Sequence, residues 1–104
     1  MTNGDFQTYL DNLGRTEFEV AESLRKEGIT GKPGSPFTCP ISNGVRKMFA
    51  NQGIAVNSIV CCSVTAHEDS LGGRKWEGVL TPAINKFMCV FDGGGFPFLV
   101  RELA

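Results

Sequence analysis

The hydrophobic pattern of the chain predicts one region of β structure, residues 53–80, with helices on both sides of it. β-Branched residues are concentrated there, and such side chains pack well on a pleated sheet. With a period of two, one face of the first strand consists of Val56, Ser58, Val60, Cys62 and Val64. This is the more apolar face, so we expect it to contact the helices. A polar connection over residues 66–73 is too long for a two-residue turn and leads to a return strand. There Trp76, Gly78 and Leu80 share a face, so the pattern predicts a β-hairpin in which Trp76 anchors the core.

Three helices are predicted before the hairpin, over residues 6–13, 17–27 and 40–52, from apolar residues that recur at helical spacing. Thr16 followed by Glu19 is a capping box, which satisfies two backbone N–H groups at the start of the second helix. The first helix is short, so we expect it to be stable only when its apolar side is docked.

Glycine marks the ends of the second and third helices. Gly28 and Gly53 each supply a residue that adopts a left-handed backbone without steric cost. Each is followed by an isoleucine, Ile29 or Ile54, at the position where a Schellman motif places its apolar contact. The two ends have the same pattern, which strengthens the prediction of both.

A fourth helix is predicted after the hairpin, because Thr81 and Pro82 form a cap followed by a proline at the first helical position. It is apolar on much of its circumference, so we expect it to be the central helix, lying on the hairpin. Glycines 93–95 end it. The aromatic tail that follows is either buried in a last short helix or forms a contact surface for a partner. The candidate binding residues are Phe96, Phe98, Leu99 and Trp76.

The predicted fold class is α+β, with three to four short helices packed on a β-hairpin in the order α-α-α-β-β-α and a C-terminal tail. The length fits one small domain, residues 1–104, in which residues 1–14 either pack fully or form a loosely attached helical arm. A two-stranded sheet is marginal alone and needs helices on one face, a third strand or a partner. An open strand edge can pair with another copy, so the pattern allows a homodimer through the hairpin edge.

Composition and charge argue against several classes of partner. The formal net charge is −1, and basic residues are scattered among acidic ones, which gives no basic surface for nucleic acid or an anionic membrane. No apolar run is long enough to span a bilayer, and the first residues lack the basic and apolar parts of a signal peptide. We therefore expect a cytoplasmic protein whose four cysteines stay reduced. No metal-ligand spacing or cofactor loop is present, so no cofactor is expected.

The connection over residues 30–39 holds two glycines and two prolines, which excludes regular structure. We expect Phe37 to pin this connection to the core. The segment has some likeness to a phosphate loop, but it follows a helix rather than a strand, and its prolines lack N–H groups. A phosphate site is therefore rejected.

Cys39 carries the main candidate chemistry. Pro40 fits the first position of the third helix, so Cys39 is the N-cap by position, with Thr38 as the alternative. A thiol at a helix N-terminus meets the positive end of the helix dipole, which favours the thiolate. The only histidine is His67, so a Cys39–His67 pair is the weak catalytic candidate. The favoured alternative is a small buried cap, because unpaired cysteines are usually buried and unreactive.

Several segments together resemble a group of small uncharacterised proteins from actinobacteria and their phages. That group has the pattern Leu-x-x-x-Gly-Ile-x-Gly, then Cys-Pro-Ile/Leu-Ala, then Leu-Pro-x-Ala-Val-x-x-Phe-Val-x-x-Phe-Asp-x-Gly-x-Tyr-Pro-x-Leu. The matching segments are Leu24 to Gly31, Cys39 to Ile41, Thr81 to Ile84, and Phe91 to Leu99. Phe96 stands where the group has tyrosine, and Thr81 replaces a leucine. The resemblance implies a compact domain of this segment order and a phage or mobile-element origin, and it supplies no activity or catalytic residues.

The sequence thus favours a small non-enzymatic protein-binding module. The positive evidence for this interpretation is the open strand edge and the aromatic tail. The remaining evidence is negative, because the sequence shows no paired catalytic groups. The alternative is a thiol-dependent enzyme or redox sensor that uses Cys39.

Overall fold

The computed structural model of the protein describes residues 2–35, 37–60, 63–68 and 73–100. Three helices come first, α1 (Asn3–Asp11), α2 (Glu17–Lys26) and α3 (Pro40–Asn51). Three strands follow, β1 (Val56–Val60), β2 (Val64–Glu68) and β3 (Lys75–Gly78). Helix α4 (Pro82–Asp92) and a 3₁₀ turn (Pro97–Leu99) come last. The predicted α+β class is confirmed.

Helices α2, α3 and α4 begin at the predicted caps, whereas α1 is capped by Thr2 and not by Asn3 or Asp5, the residues that the sequence suggested. The Thr16 hydroxyl accepts the Glu19 N–H at 3.2 Å, and the Thr81 hydroxyl accepts the Ile84 N–H at 3.2 Å. Cys39, rather than Thr38, is the N-cap of α3. Short polar side chains satisfy N–H groups that the first turn leaves without a helical partner. These starts were therefore readable from local sequence alone.

The sheet has three antiparallel strands in the order β1-β2-β3, one more than the predicted hairpin. The chain reverses after Val60, and Val60 pairs with Val64. These two residues lie on the same face whether the strand continues or reverses, so the hydrophobic alternation does not reveal the turn. Cys61 and Cys62, at this reversal, lie outside the described residues. Strand β2 includes Ala66, His67 and Glu68, which the prediction had placed in a loop.

One face of the sheet is buried, as predicted, and Trp76 is buried in the core. Its ring lies 4.8 Å from that of Phe49, which contacts the Phe6 ring at 5.4 Å. Helix α3 packs on β1 and α1 packs on β3. The placement of the fourth helix on the hairpin was wrong, because α4 packs chiefly on α2. The apolar stripe of α3, which includes Ile41, Val45 and Phe49, covers β1 instead.

The connection between α2 and α3 is held by its backbone and not by Phe37. The Gly31 N–H donates to the Leu99 carbonyl at 2.8 Å, and the Lys32 N–H donates to the Thr38 carbonyl at 2.9 Å. The Phe37 side chain is 55% exposed, so the expectation that it pins the loop to the core was wrong. Backbone hydrogen bonds carry no signal in the hydrophobic pattern, which is why the sequence pointed to the ring.

Candidate functional site

Three phenylalanines form an exposed cluster, which we call the aromatic surface: Phe18, Phe96 and Phe98. Phe18 is 69% exposed and Phe98 is 54% exposed, and Phe96 is half-buried between them. The Phe96 ring centroid lies 6.1 Å from each of the other two, and both contacts are edge-to-face. This spacing and orientation are favourable for aromatic pairs. The surface joins α2 to the 3₁₀ turn.

The position of Phe96 is set by the glycine run at the end of α4. The Gly95 N–H donates to the Val90 carbonyl at 2.8 Å, and the Gly94 N–H donates to the Phe91 carbonyl at 3.1 Å. These two bonds form a Schellman motif, with Gly94 at a φ of 99°. The space beside Gly95 is closed, because an added methyl group would lie 2.3 Å from Val90 Cγ1. The run therefore turns the tail back across the end of α4.

Phe96 has a left-handed backbone, with φ 52° and ψ 55°. A bulky residue in this region is an outlier and costs about 1–3 kcal/mol. The ring compensates by stacking on Phe87, at 5.3 Å and an interplanar angle of 21°, and Phe87 stacks on Phe91 at 5.8 Å. Aromatic packing therefore holds Phe96 in its strained conformation.

The predicted binding residues divide into two pairs. Phe96 and Phe98 reach the surface, whereas Leu99 and Trp76 are buried in the core. Phe18 was missed because isolated apolar residues on a helix surface are common, and it lies outside the inner stripe of α2. The signal that could have found it was a large ring at an outward position of an otherwise polar helix.

Two ion pairs are formed by residues of α2 that are close to Phe18 in the chain. Glu17, adjacent to Phe18, is 3.4 Å from the Lys86 ammonium of α4. Glu22 forms an ion pair with Arg25, and this contact lowers the pKa of the Glu22 carboxyl. The carboxylates of Glu17 and Glu22 are therefore each balanced by a cation.

Cys39 lines a cavity of about 290 Å³ between the start of α3, the end of β1 and α4. The thiol is buried, accepts the Ser42 N–H at 3.4 Å and donates to the Ser42 hydroxyl at 3.5 Å. Phe87 and Phe91 form much of the apolar wall. Asp92 supplies a carboxylate at the rim, where it accepts the Gly34 N–H at 2.8 Å. The cavity is therefore mostly apolar, and its described lining includes a thiol, a carboxylate and the Ser35 hydroxyl.

The structure does not bring Cys39 and His67 together. His67 lies on the exposed face of β2, between Asn57 of β1 and Lys75 of β3. Cys39 is buried on the opposite side of the sheet, with the helices. Because the sheet separates the two side chains, His67 does not activate the thiol as a general base in this fold.

Within the described ranges, no three histidine, cysteine, aspartate or glutamate residues cluster as metal ligands do. None of the helices described is both long enough and apolar enough to cross a membrane. Comparison of the chain with protein-family models, with curated proteins and with solved structures gives no match. The case for function therefore depends on the geometry of the chain itself.

Proposed function

We propose that this protein is a protein-binding module and that the aromatic surface is its contact site. The observation that carries the proposal is the exposure of the Phe18 and Phe98 rings on either side of Phe96. Large aromatic side chains are enriched in the buried centres of protein interfaces. Exposing such rings to water is unfavourable. A partner that covers them would therefore bind more tightly through the burial of their apolar surface.

The partner that fits is a different protein that presents an apolar segment. Glu17, next to Phe18 in the chain, is already paired with Lys86. The stacked Phe96 ring gives the centre of the surface a fixed shape, which lowers the entropic cost of binding. Binding should therefore depend weakly on salt, unlike binding to nucleic acid.

Cross-linking capture with a matched control tests the proposal. Tagged protein, a Phe18→Ser/Phe98→Ser variant and a Phe37→Ser variant are exposed to lysate and cross-linked, and the cross-linked sites are mapped by mass spectrometry. Phe37 is the control because its ring is as exposed as that of Phe98 but lies outside the aromatic surface. Phe96 is left intact because it packs on Phe87.

The expected result is one partner at fixed stoichiometry, cross-linked beside residues 18 and 98, lost in the double variant and kept in Phe37→Ser. Loss in both variants, or loss in neither, would contradict the proposal. If the captured protein is another copy of this chain, cross-linked at the aromatic surface, the partner is a second copy rather than a different protein.

A cytoplasmic setting and a phage or mobile-element origin belong to the same proposal. The support for that origin is the resemblance of segments such as Cys39 to Ile41 and Phe91 to Leu99 to small actinobacterial and actinophage proteins. A binding module that catalyses no reaction would act by covering a surface of another protein, and a small phage-encoded protein can act in this way.

A thiol-dependent enzyme or redox sensor is the second candidate. The observation in its favour is that Cys39 lines a cavity at the N-terminus of α3. Cys89, which is exposed on α4, provides an internal reference. Alkylation with iodoacetamide at neutral pH, followed by peptide mass spectrometry, compares the two thiols. Faster reaction at Cys39 than at Cys89 would favour the thiol function, whereas protection of Cys39 would favour the binding module.

A further inference from the structure

The first turn of α1 contains an asparagine followed by a glycine, Asn3 and Gly4, and both residues are exposed. In such a pair the glycine nitrogen can attack the carbon of the asparagine side-chain amide, because glycine has no side chain to hinder the approach and its backbone is permissive. The attack releases ammonia and is called deamidation. The pair is therefore a candidate site of spontaneous chemical modification.

Asn3 is also one of two amide side chains with which α1 covers the outer edge of β3. The Glu77 N–H donates to Asn3 Oδ1 at 3.3 Å. Next to it, the Val79 N–H donates to Gln7 Oε1 at 2.7 Å, and Gln7 Nε2 donates to the Val79 carbonyl at 2.9 Å. These amides supply hydrogen bonds that a neighbouring strand would otherwise make. A change at Asn3 therefore affects the edge of the sheet.

Two features of the fold favour the reaction at Asn3. The Gly4 N–H belongs to the first helical turn, whose N–H groups have no helical partner, and the Thr2 hydroxyl accepts the Asp5 N–H instead. The Glu77 N–H donates to the oxygen of the Asn3 amide, where negative charge develops when the amide carbon is attacked, and a donor there stabilises that charge. The attacking nitrogen and the amide can therefore meet when the end of the helix frays.

The chain has a second asparagine–glycine pair, Asn43 and Gly44, inside α3. There the Asn43 amide donates to the Thr30 carbonyl at 2.6 Å and to the Thr38 carbonyl at 3.1 Å. Gly44 is buried, and its N–H lies within the helical hydrogen-bond ladder. Because both reacting groups are held, this pair is an internal control for the first.

We propose that Asn3 deamidates in the folded protein and that its isoaspartyl product releases the start of α1 from β3. The Gly4 nitrogen loses its proton to solvent and bonds to Asn3 Cγ, the bond from Cγ to Nδ2 breaks, and ammonia leaves. Water then opens the cyclic imide. Cleavage at the side-chain carbonyl gives aspartate, and cleavage at the main-chain carbonyl gives isoaspartate, each with a new carboxylate.

The isoaspartyl product changes the path of the main chain, which then runs through Cβ and Cγ of residue 3 and gains one backbone atom. The extra atom moves Thr2 out of register with the Asp5 and Phe6 N–H groups, which its hydroxyl and carbonyl accept at 3.1 Å each. Asn3 Oδ1 becomes a main-chain oxygen, so the Glu77 N–H loses its acceptor. The covered edge of β3 is thereby opened at one end.

Peptide mass spectrometry of protein held in mildly alkaline buffer tests the first part of the proposal. Samples are taken over time and digested at acidic pH, where deamidation is slow, and a parallel sample in urea gives the rate of each pair without the fold. We expect similar rates at Asn3 and Asn43 in urea. In the folded protein Asn3 should react faster by a factor of about ten or more, because α3 opens more rarely than the end of α1. A folded-state rate at Asn3 no higher than that at Asn43 would overturn the proposal.

Two variants check the route of the reaction. Gly4→Ala places a methyl group beside the attacking nitrogen and should slow the reaction severalfold, and the fold has room for it, since this methyl meets only the Thr2 hydroxyl, at 3.5 Å. Thr2→Ala removes the cap and should speed the reaction severalfold, because the first turn then frays more often. An unchanged rate in either variant would contradict the route.

Amide hydrogen exchange tests the second part, the release of α1. The isoaspartyl protein is isolated by reversed-phase chromatography, refolded and compared with Asn3→Asp, which carries the new carboxylate without the extra backbone atom. We expect the Glu77 amide to exchange severalfold faster in the isoaspartyl protein than in Asn3→Asp. Equal exchange in the two proteins would overturn the release of α1.

Discussion

The two outer strands of the sheet belong to one small ladder but differ in what lies beside them. Beside β3, Gln7 and Asn3 of α1 satisfy the backbone groups at Val79 and Glu77. Beside β1, burial takes the place of amide side chains, because Val56, Ser58 and Val60 are at most 5% exposed and α3 packs on this strand. The difference shows that a helix protects an outer strand either through amide side chains, which both donate and accept, or by burying the strand.

The largest expected effect comes from separating α1 from β3. A methyl group added at Gly78 would lie 2.5 Å from Leu10 Cδ1 and 3.2 Å from Val64 Cγ1. Gly78→Val should therefore lower the free energy of unfolding by about 3 kcal/mol, measured by urea denaturation. Gly4→Ala is the control, because a methyl group there meets only the Thr2 hydroxyl, at 3.5 Å. Equal losses in the two variants would contradict close packing at this edge.

A smaller effect is expected when the cover is removed without a clash. Gln7→Ala should cost about 1–2 kcal/mol, because it removes both hydrogen bonds to the Val79 backbone. It should also give β3 an open edge, so light scattering should show species larger than the wild type. Gln7→Glu keeps only the acceptor and should be intermediate in stability. A Gln7→Ala protein with unchanged stability and size would show that α1 does not protect the edge.

Tyr9 tests the anchoring of α1 on its other side, against α3. Its hydroxyl is buried and has no hydrogen-bond partner among the described residues, and a methyl group added at Gly44 would lie 2.7 Å from it. Tyr9→Phe should therefore raise the free energy of unfolding by about 1 kcal/mol at neutral pH, measured in urea. No change, or a loss, would show that the hydroxyl is satisfied in solution.

The same residue predicts a pH dependence. Burial, helped by the negative charge of Glu27, raises the pKa of the Tyr9 phenol above its ordinary value. The folded protein keeps the neutral phenol while the unfolded chain ionises near pH 10, so this contribution to stability is present below pH 10 and falls as the pH rises above it. The advantage of Tyr9→Phe should therefore grow above about pH 10. A constant difference between the two proteins would contradict the assignment.

The smallest effect concerns the start of α1. Hydrogen bonds from the Thr2 backbone N–H and side chain lower the pKa of the Asp5 carboxyl. The carboxylate thus stabilises the helix above its unfolded pKa, and the stabilisation disappears as the pH falls through the folded pKa. Asp5→Asn should be slightly less stable than the wild type at neutral pH and equal to it in strong acid. A difference that persists in acid would point to another cause.

The sequence allowed the local features of the fold to be predicted, because their causes lie within a few residues. Caps such as Thr16 and Thr81 satisfy N–H groups three positions away. The Gly28 and Gly53 ends also formed as predicted, with the following isoleucine N–H bonded to the Leu24 or Phe49 carbonyl. Such bonds need no knowledge of the remaining chain.

Features that depend on distant residues were not predictable from local patterns. Gln7 and Val79 are 72 residues apart in the chain, and no periodicity links an amide side chain to a strand edge. In the candidate site, the pattern identified Phe98 and Phe96 as apolar but could not separate them from the buried Leu99. Exposure there depends on the turn made at Gly94 and Gly95, which sets the direction of the tail.

Backbone amide hydrogen exchange, followed by NMR at several protein concentrations, tests the contrast between the two edges most directly. The Ser58 amide belongs to a fully buried residue of β1 and should be protected to the same degree at every concentration. The Val79 amide, already bonded to Gln7, should also show constant protection at every concentration. A Ser58 amide that exchanges as fast as an unstructured one would contradict the burial of β1. A Val79 amide that exchanges as fast as an unstructured one would contradict the covered edge.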